Sequence, residues 1–437
     1  MEEGVLKINY SSPLTQYRGL KLSNLIRYLT GHRISPSTCA DVFYMFYLPY
    51  PVLRRDIKNE HLRKRAEMIK YFLTLKNTNI IRVKSILNPE ISTLATLSLA
   101  EKIINYISSY FKHEFQRLSD EVGSDPLLAL SRIVEERKVK GWLNEFERLF
   151  QEVNSDIHYY KVIKGVIEQG FSTKHFKDYV TSRYIVEVLK LAKNVNVRRI
   201  LDLTSRIVEK SKLHIPVIKS EHFRGELDGI TLGSDVERII PSEIALPKTF
   251  FFLKYIENSL LIYRKIVKKQ RNPIYILVDK SSSMEGEKTE WARAVTLTLI
   301  RRALLENRRV FFRFFTDSPC DLIIIDPKEN IASKTRKIGY ILTAASFGET
   351  DIDYALSKAL EDIEKGTCKG CSAIIIITDG QDMFEPGILA NKLRKADVKL
   401  LSVMIKGDND SLKTLSHHYF KVVELSEANA LKIVKQV

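Results

Sequence analysis

The spacing of apolar residues changes character along the chain. From about Asp56 to Lys212 apolar positions recur at intervals of three and four. They do so in "NEHLRKRAEMIKYFLTL", "ISTLATLSLAEKIINYISSYFKHEF", "DPLLALSRIVEERK", "STKHFKDYVTSRYIVEVLKLAK" and "NVRRILDLTSRIVEKSK". This is the period of helices with one buried face. Glycine and proline fall between these stretches, where helices start and stop. No fixed repeat length emerges, so the pattern predicts an irregular helical domain over residues 1–212 and not a regular solenoid.

Periodicity weakens from His214 to Pro247, which is rich in Gly, Pro and Ser and reads as an extended connector. The stretch "KTFFFLKYIENSLLIYRKIVKK" then reads as a lead-in helix, so residues 213–270 form a connector and helix. From Pro273 the rhythm becomes strand–helix alternation. The strands are "IYILV", "VFFRFF", "LIII", "AIIIIT", "VKLLSVMI" and "YFKVVEL". Near-continuous apolar strands between amphipathic helices predict a mostly parallel sheet covered on both faces. The short hop from "VFFRFF" to "LIII" predicts an antiparallel edge strand. The fold class is thus an α-helical N-terminal domain plus a C-terminal, doubly wound, Rossmann-like α/β domain over residues 271–437.

The chain has 437 residues and a formal net charge of +16. From Arg271 onward there are 25 Lys and Arg against 23 Asp and Glu, so the excess lies almost wholly before it. Such a surface suits an acidic partner, nucleic acid or anionic lipid, or is simply a set of solvated helix faces. No secretory pattern opens the sequence, and no window offers about 20 uncharged apolar residues. The expected location is cytoplasmic, without a transmembrane segment. The aromatic run Val42–Leu53 is short and broken by prolines, and reads as core. Of four cysteines, only Cys368 and Cys371 have ligand-like spacing. One such pair is a poor zinc site, and a turn is needed there anyway.

Three segments fall at strand ends of the α/β domain, where open sheets bind ligands. They are Asp279-Lys-Ser281-Ser-Ser283, Gly348-Glu-Thr350-Asp351 and Thr378-Asp379-Gly380. They bring carboxylates and hydroxyls with no His or Cys, which is a donor set for a hard cation. Mg²⁺ keeps some of its water and so suits neutral hydroxyls with few acids; Mn²⁺ or Ca²⁺ are the alternatives. Helix capping competes for the same residues, because Ser282-x-x-Glu285 and Thr350-x-x-Asp353 both fit a capping box.

The order DxSxS…T…D on this alternation resembles the metal-ion-dependent adhesion site (MIDAS) of von Willebrand factor A (VWA) domains. The resemblance implies that Ser281, Ser283 and Thr350 supply hydroxyl ligands, and that Asp279 and Asp379 bind directly or through water. It implies an open position taken by a partner's carboxylate. Ser282 and Glu349 stand where glycines are usual, and with Asp351 and Asp382 they belong to the rim. The flanking text "PIYILVDKSSSMEGEKTEWARAVTLTLIRRALLENRRVFFRFF" and "IIPSEIALPKTFFFLKYIENSLLIYRK" is similar to ViaA- and CoxE-like VWA proteins, from about Gly225 onward. Those proteins partner MoxR-family AAA+ ATPases, which implies an adaptor role in protein remodelling or complex maturation. The chain has no GxxxxGK[ST] and so no P-loop of its own. No nucleophile–His arrangement accompanies the acids, and the expectation is a non-enzymatic protein with no catalytic residues. The alternative is an RNA-binding protein similar to the Ro autoantigens, using the basic helical domain.

Overall fold

The computed structural model describes residues 4–110, 130, 142–168, 182–211, 219–268, 272–380 and 382–436. The predicted segment Asp125–Lys138 lies outside these except for Leu130, as does the start of the stretch Ser172–Lys193. The chain divides into two compact units. One comprises Met1–Ile207 with Gly286–Thr298 and Lys328–Ser346. The other comprises Val208–Glu285, Leu299–Pro327 and Phe347–Val437.

The described residues of the first unit are mainly helical. Its helices include Pro13–Thr30, Pro36–Tyr47, Glu60–Thr74, Lys76–Ser85, Pro89–Tyr110, Trp142–Ile167, Ser182–Lys193 and Val195–Ser211. Proline opens the first two, where its missing N–H costs nothing. The aromatic run is core in its first half only: Phe43, Tyr44, Met45 and Phe46 are buried, whereas Tyr50 and Val52, next to the prolines, are exposed. Rings of Phe46, Phe72, Phe146 and Phe150 pack with centroids 5.2–6.5 Å apart, each burial worth roughly 1.5–3 kcal/mol. Two buried carboxylates of this unit are matched by donors. Asp41 accepts the Val5 N–H at 3.1 Å and the Tyr10 hydroxyl. Asp156 accepts from Ser98 at 2.6 Å and Arg198 at 2.5 Å. No helix among the described residues is long and apolar enough to cross a membrane.

The connector differs from the sequence expectation. Residues Lys219–Gly233 (β1) and Leu260–Lys268 (β2) form a two-stranded antiparallel sheet. The lead-in helix covers only Lys248–Ile256. Asn258 ends it at φ 51°, with the Ser259 N–H reaching back to Lys254 O at 2.8 Å. That is a Schellman-type stop, with asparagine in the left-handed position. The β-branched run that follows pairs with β1 instead of extending the helix.

The remaining strands are Ile274–Asp279 (β3), Val310–Phe315 (β4), Ile323–Ile325 (β5), Ala373–Thr378 (β6), Lys399–Ile405 (β7) and His418–Val422 (β8). They form one six-stranded sheet in the order β5-β4-β3-β6-β7-β8. All pairs are parallel except β4–β5, the antiparallel edge. Strands β3 and β4 are buried at every position, and β6 and β7 nearly so. Unbroken apolar runs therefore form strands here because both faces are covered. One face packs Tyr275, Leu277, Phe311, Ile374, Ile376 and Leu400 against the helices Ile352–Glu364 and Pro386–Ala396. Cys368 and Cys371 belong to this core as free thiols in the turn before β6. The chain leaves β3 toward β4 and returns on its other side as β6. The switch point therefore lies at the carboxyl ends of β3 and β6, where a crevice opens.

Candidate metal centre

Strand β3 ends at Asp279, whose side chain is almost wholly buried. The next residue is pinned by its backbone: the Lys280 N–H donates to Phe315 O at 3.0 Å, and Lys280 O accepts from the Phe347 N–H at 2.8 Å. The Lys280 side chain turns aside, its Nζ 3.9 Å from the centre of the Phe347 ring. A single 3-10 turn, Ser282–Met284, then follows. Ser281 precedes that turn but does not cap it with its hydroxyl. The hydroxyl sits 3.0 Å from Ser283 Oγ.

A similar one-residue offset frees Thr350. The helix Ile352–Glu364 is capped by Asp351, whose Oδ1 accepts the Tyr354 N–H at 2.8 Å. Thr350 thus lies just outside the helix, and its hydroxyl faces Asp279 Oδ2 at 3.3 Å. The two capping boxes read from the sequence do not take up the site hydroxyls.

Strand β6 delivers the rest. Ser283 Oγ donates to Asp379 Oδ1 at 2.8 Å. A run of close oxygens therefore passes from Thr350 to Asp279. The Ser281 N–H meets Asp279 Oδ1 at 2.8 Å, and the run continues through the Ser281 and Ser283 hydroxyls to Asp379. All five residues singled out in the sequence are brought together. The rim residues surround them. Ser282 is exposed and donates its N–H to Gly348 O at 3.0 Å. Glu349 is exposed. Asp382 Oδ2 accepts the Ile352 N–H at 3.0 Å. One further contributor stands in a segment singled out in the sequence, where nothing assigns it a role: Thr378 Oγ1 donates to Asp279 Oδ2 at 2.5 Å and accepts the Gly380 N–H at 2.9 Å. A β-branched residue closing a strand carries no sequence signal for such a role. Gly380 leaves room for Thr350, since a Cβ there would lie 2.7 Å from Thr350 Cγ2.

Electrostatics favour a cation. Burial pushes the Asp279 carboxyl above its ordinary range, and the nearby Asp379 charge pushes the same way. Hydrogen bonds from Thr378 and Ser281 oppose this. No lysine or arginine among the described residues forms an ion pair with Asp279. Two acids and hydroxyls that bridge them form a hard-oxygen set with few charges, which fits an ion that keeps part of its hydration. Among the described residues, no three His, Cys, Asp and Glu side chains are grouped to hold a metal. An ion here depends on the serine and threonine oxygens.

Residues 274–436 match the family described as von Willebrand factor type A domain, and the C-terminal part of the chain is a VWA domain. The chain is 26% identical over 442 residues to the uncharacterized protein MJ0811 of Methanocaldococcus jannaschii, covering 95% of this chain and 94% of that one. It is 26% identical over 364 residues to a putative VWFA domain-containing protein, ORF892, of Acidianus two-tailed virus, covering 78% of this chain but 37% of that one. Among solved structures, a von Willebrand factor type A protein from Catenulispora acidiphila aligns over 40% of this chain and 43% of its own. Its identity is 16% and its TM-score 0.30. Proximal thread matrix protein 1 from the mussel byssus, solved with a zinc-occupied MIDAS motif, aligns over 38% of this chain and 47% of its own, at 15% identity and TM-score 0.30.

Proposed function

We propose that this VWA-domain chain is a non-enzymatic interaction protein. Its C-terminal domain holds a divalent cation, Mg²⁺ by preference, through Asp279, Ser281, Ser283, Thr350 and Asp379. The observation that carries the reading is the hydrogen-bonded chain that joins the Thr350, Ser281 and Ser283 hydroxyls to the Asp279 and Asp379 carboxylates, closed between Asp279 and Ser281 by a backbone N–H, at the switch point of the sheet. A bound Mg²⁺ would act as a Lewis acid with a coordination position open to an outside carboxylate. Asp279 and Asp379 would supply the charge, while the three hydroxyls would orient the ion and leave net positive charge for that carboxylate. The partner is a protein offering Asp or Glu. The similarity of the flanking text to ViaA- and CoxE-like proteins supports a MoxR-type AAA+ ATPase, or its substrate, as that partner. The role would then be remodelling or complex maturation in the cytoplasm. The three sequence segments that build the site contain no histidine to pair with a nucleophile, which supports binding without turnover.

Affinity capture from native extract tests the reading, with wild-type and Asp279→Asn chains compared in Mg²⁺ and in EDTA. Asparagine keeps the shape but removes the charge that a cation needs. The expected outcome is a discrete partner recovered by the wild type in Mg²⁺ and lost both in EDTA and with the variant. Recovery of the same proteins under all three conditions would remove the metal bridge from the account.

A further inference from the structure

We infer that Asn409 is a positioning residue for Asp379, acting through the loop that leaves β6; the inference rests on the metal-site reading above. Asn409 is nearly fully buried, at 4% exposure, although its side chain is polar. Every polar atom of that side chain is used. Oδ1 accepts the Leu412 N–H at 2.8 Å and caps the helix Asp410–Leu415. Nδ2 donates to Asp382 O at 2.7 Å and faces Gly380 O at 3.5 Å. The backbone N–H of Asn409 meets the Tyr419 hydroxyl at 2.9 Å, and that hydroxyl donates to Asp408 Oδ1 at 2.8 Å. The cap fixes the amide's orientation, so the NH₂ group must point at the two carbonyls.

Those carbonyls flank the site. Gly380 directly follows Asp379, and the Asp382 side chain is itself tied to the helix behind Thr350 through the Ile352 N–H. A parallel tie runs from Ser411 Oγ to Phe384 O at 2.8 Å. Backbone packing is close as well, since a Cβ on Gly407 would lie 3.2 Å from Asp379 O. The turn after β7 therefore underpins the Asp379 segment, and the Asn409 side chain bonds both the cap and that segment. A helix cap alone requires only an acceptor, which Asp, Ser or Thr supplies equally. The amide donor is the part that capping does not explain. Groups of this kind, which hold a ligand without touching the ion, typically change metal affinity about ten- to a hundredfold.

The test is Mg²⁺ titration calorimetry on the full chain, with thermal unfolding in EDTA measured alongside, for Asn409→Asp and Asn409→Ser. Both variants keep an acceptor for the cap and lose the amide NH₂; the shorter serine hydroxyl cannot accept for the cap and also replace that group at Asp382 O and Gly380 O. The added negative charge of Asn409→Asp should tighten cation binding if charge alone mattered. The expected result is Mg²⁺ binding about ten- to a hundredfold weaker in both, with the unfolding temperature in EDTA close to wild type. Wild-type affinity in both variants overturns the positioning role. Should Asn409→Asp lose cooperative unfolding, Asn409→Ser decides alone. A wild-type chain that binds no Mg²⁺ overturns the metal reading itself, and the two failures are thereby told apart.

Discussion

The behaviour of the candidate centre depends on offsets of a single residue. Thr350 stands one position before the capping residue Asp351, and Ser281 stands before a turn that it does not cap. The sequence shows the donors at their spacing, but a capping box and a cation site ask for the same residue types. Only the place where the helix begins separates them. Asp279, Ser281 and Ser283 are legible because alternate polar residues directly after an apolar strand are unusual. Thr378 and Asn409 are not, since a strand-end threonine and a helix-capping asparagine are what any sheet domain provides. Gly380 offers a sharp test. A methyl at that position falls 2.7 Å from Thr350 Cγ2, inside any real contact, so Thr350 must move. Gly380→Ala is expected to weaken Mg²⁺ binding by about tenfold or more, as loss of one supporting contact does. Thr350→Ala should match it, and the double variant should lose little beyond either single one, because both act through the same hydroxyl. Additive losses in calorimetry would show that Gly380 acts elsewhere.

At the scale of elements, legibility follows burial. The central strands β3, β4, β6 and β7 are near-continuous apolar runs, readable because tertiary packing agrees with local propensity, whereas the edge strand β8 mixes His418 and Lys421 with apolar residues. The stretch after Ile256 misleads because "SLLIYRKIV" satisfies both periods. A left-handed Asn258 and a pairing partner some 30 positions earlier decide the matter, and neither is visible locally. Helices of the first unit carry a different hidden feature, partly buried carboxylates. Glu168 follows the helix Trp142–Ile167, 3.3 Å from Lys164, which also pairs with Glu90. Burial, with Glu90 adding to it, moves the Glu168 carboxyl from 4.5 up to about 7. The folded state therefore retains a proton that the unfolded chain releases from about pH 4.5. Stability contributed in this way is present at low pH and is lost as pH rises toward 7. Glu168→Gln cannot ionise. Relative to wild type it should be neutral near pH 4, below the unfolded value, and more stable near pH 8, by on the order of 1–3 kcal/mol. Denaturant midpoints at the two pH values check this, and an unchanged difference between them contradicts it.

For the whole molecule, two kinds of recognition compete, and their physics can be separated. The net charge is +16, and the residues from Arg271 onward contribute only the small excess of 25 basic over 23 acidic side chains. A basic N-terminal part attracts polyanions by releasing counterions, so such binding falls steeply with salt and is indifferent to a chelator. A cation held at the sheet's switch point attracts one carboxylate at contact distance. There, screening over a Debye length of about 8 Å at physiological salt has little effect, while removal of the ion abolishes the bond. The two modes therefore respond in opposite ways to the same pair of reagents. Capture of the protein partner should survive about 0.5 M NaCl with Mg²⁺ present, conditions where the Debye length is only a few ångströms, and vanish on adding EDTA at low salt. Retention of single-stranded RNA on a filter, if it occurs, should show the reverse. The slope of its logarithm against that of salt then counts phosphates neutralised, at roughly 0.7 per contact. RNA binding that is steep in salt and untouched by EDTA, with no partner lost on chelation, would move the function from the carboxylate-seeking site to the basic helices. EDTA-sensitive capture that tolerates salt places it at Asp279 and its neighbours.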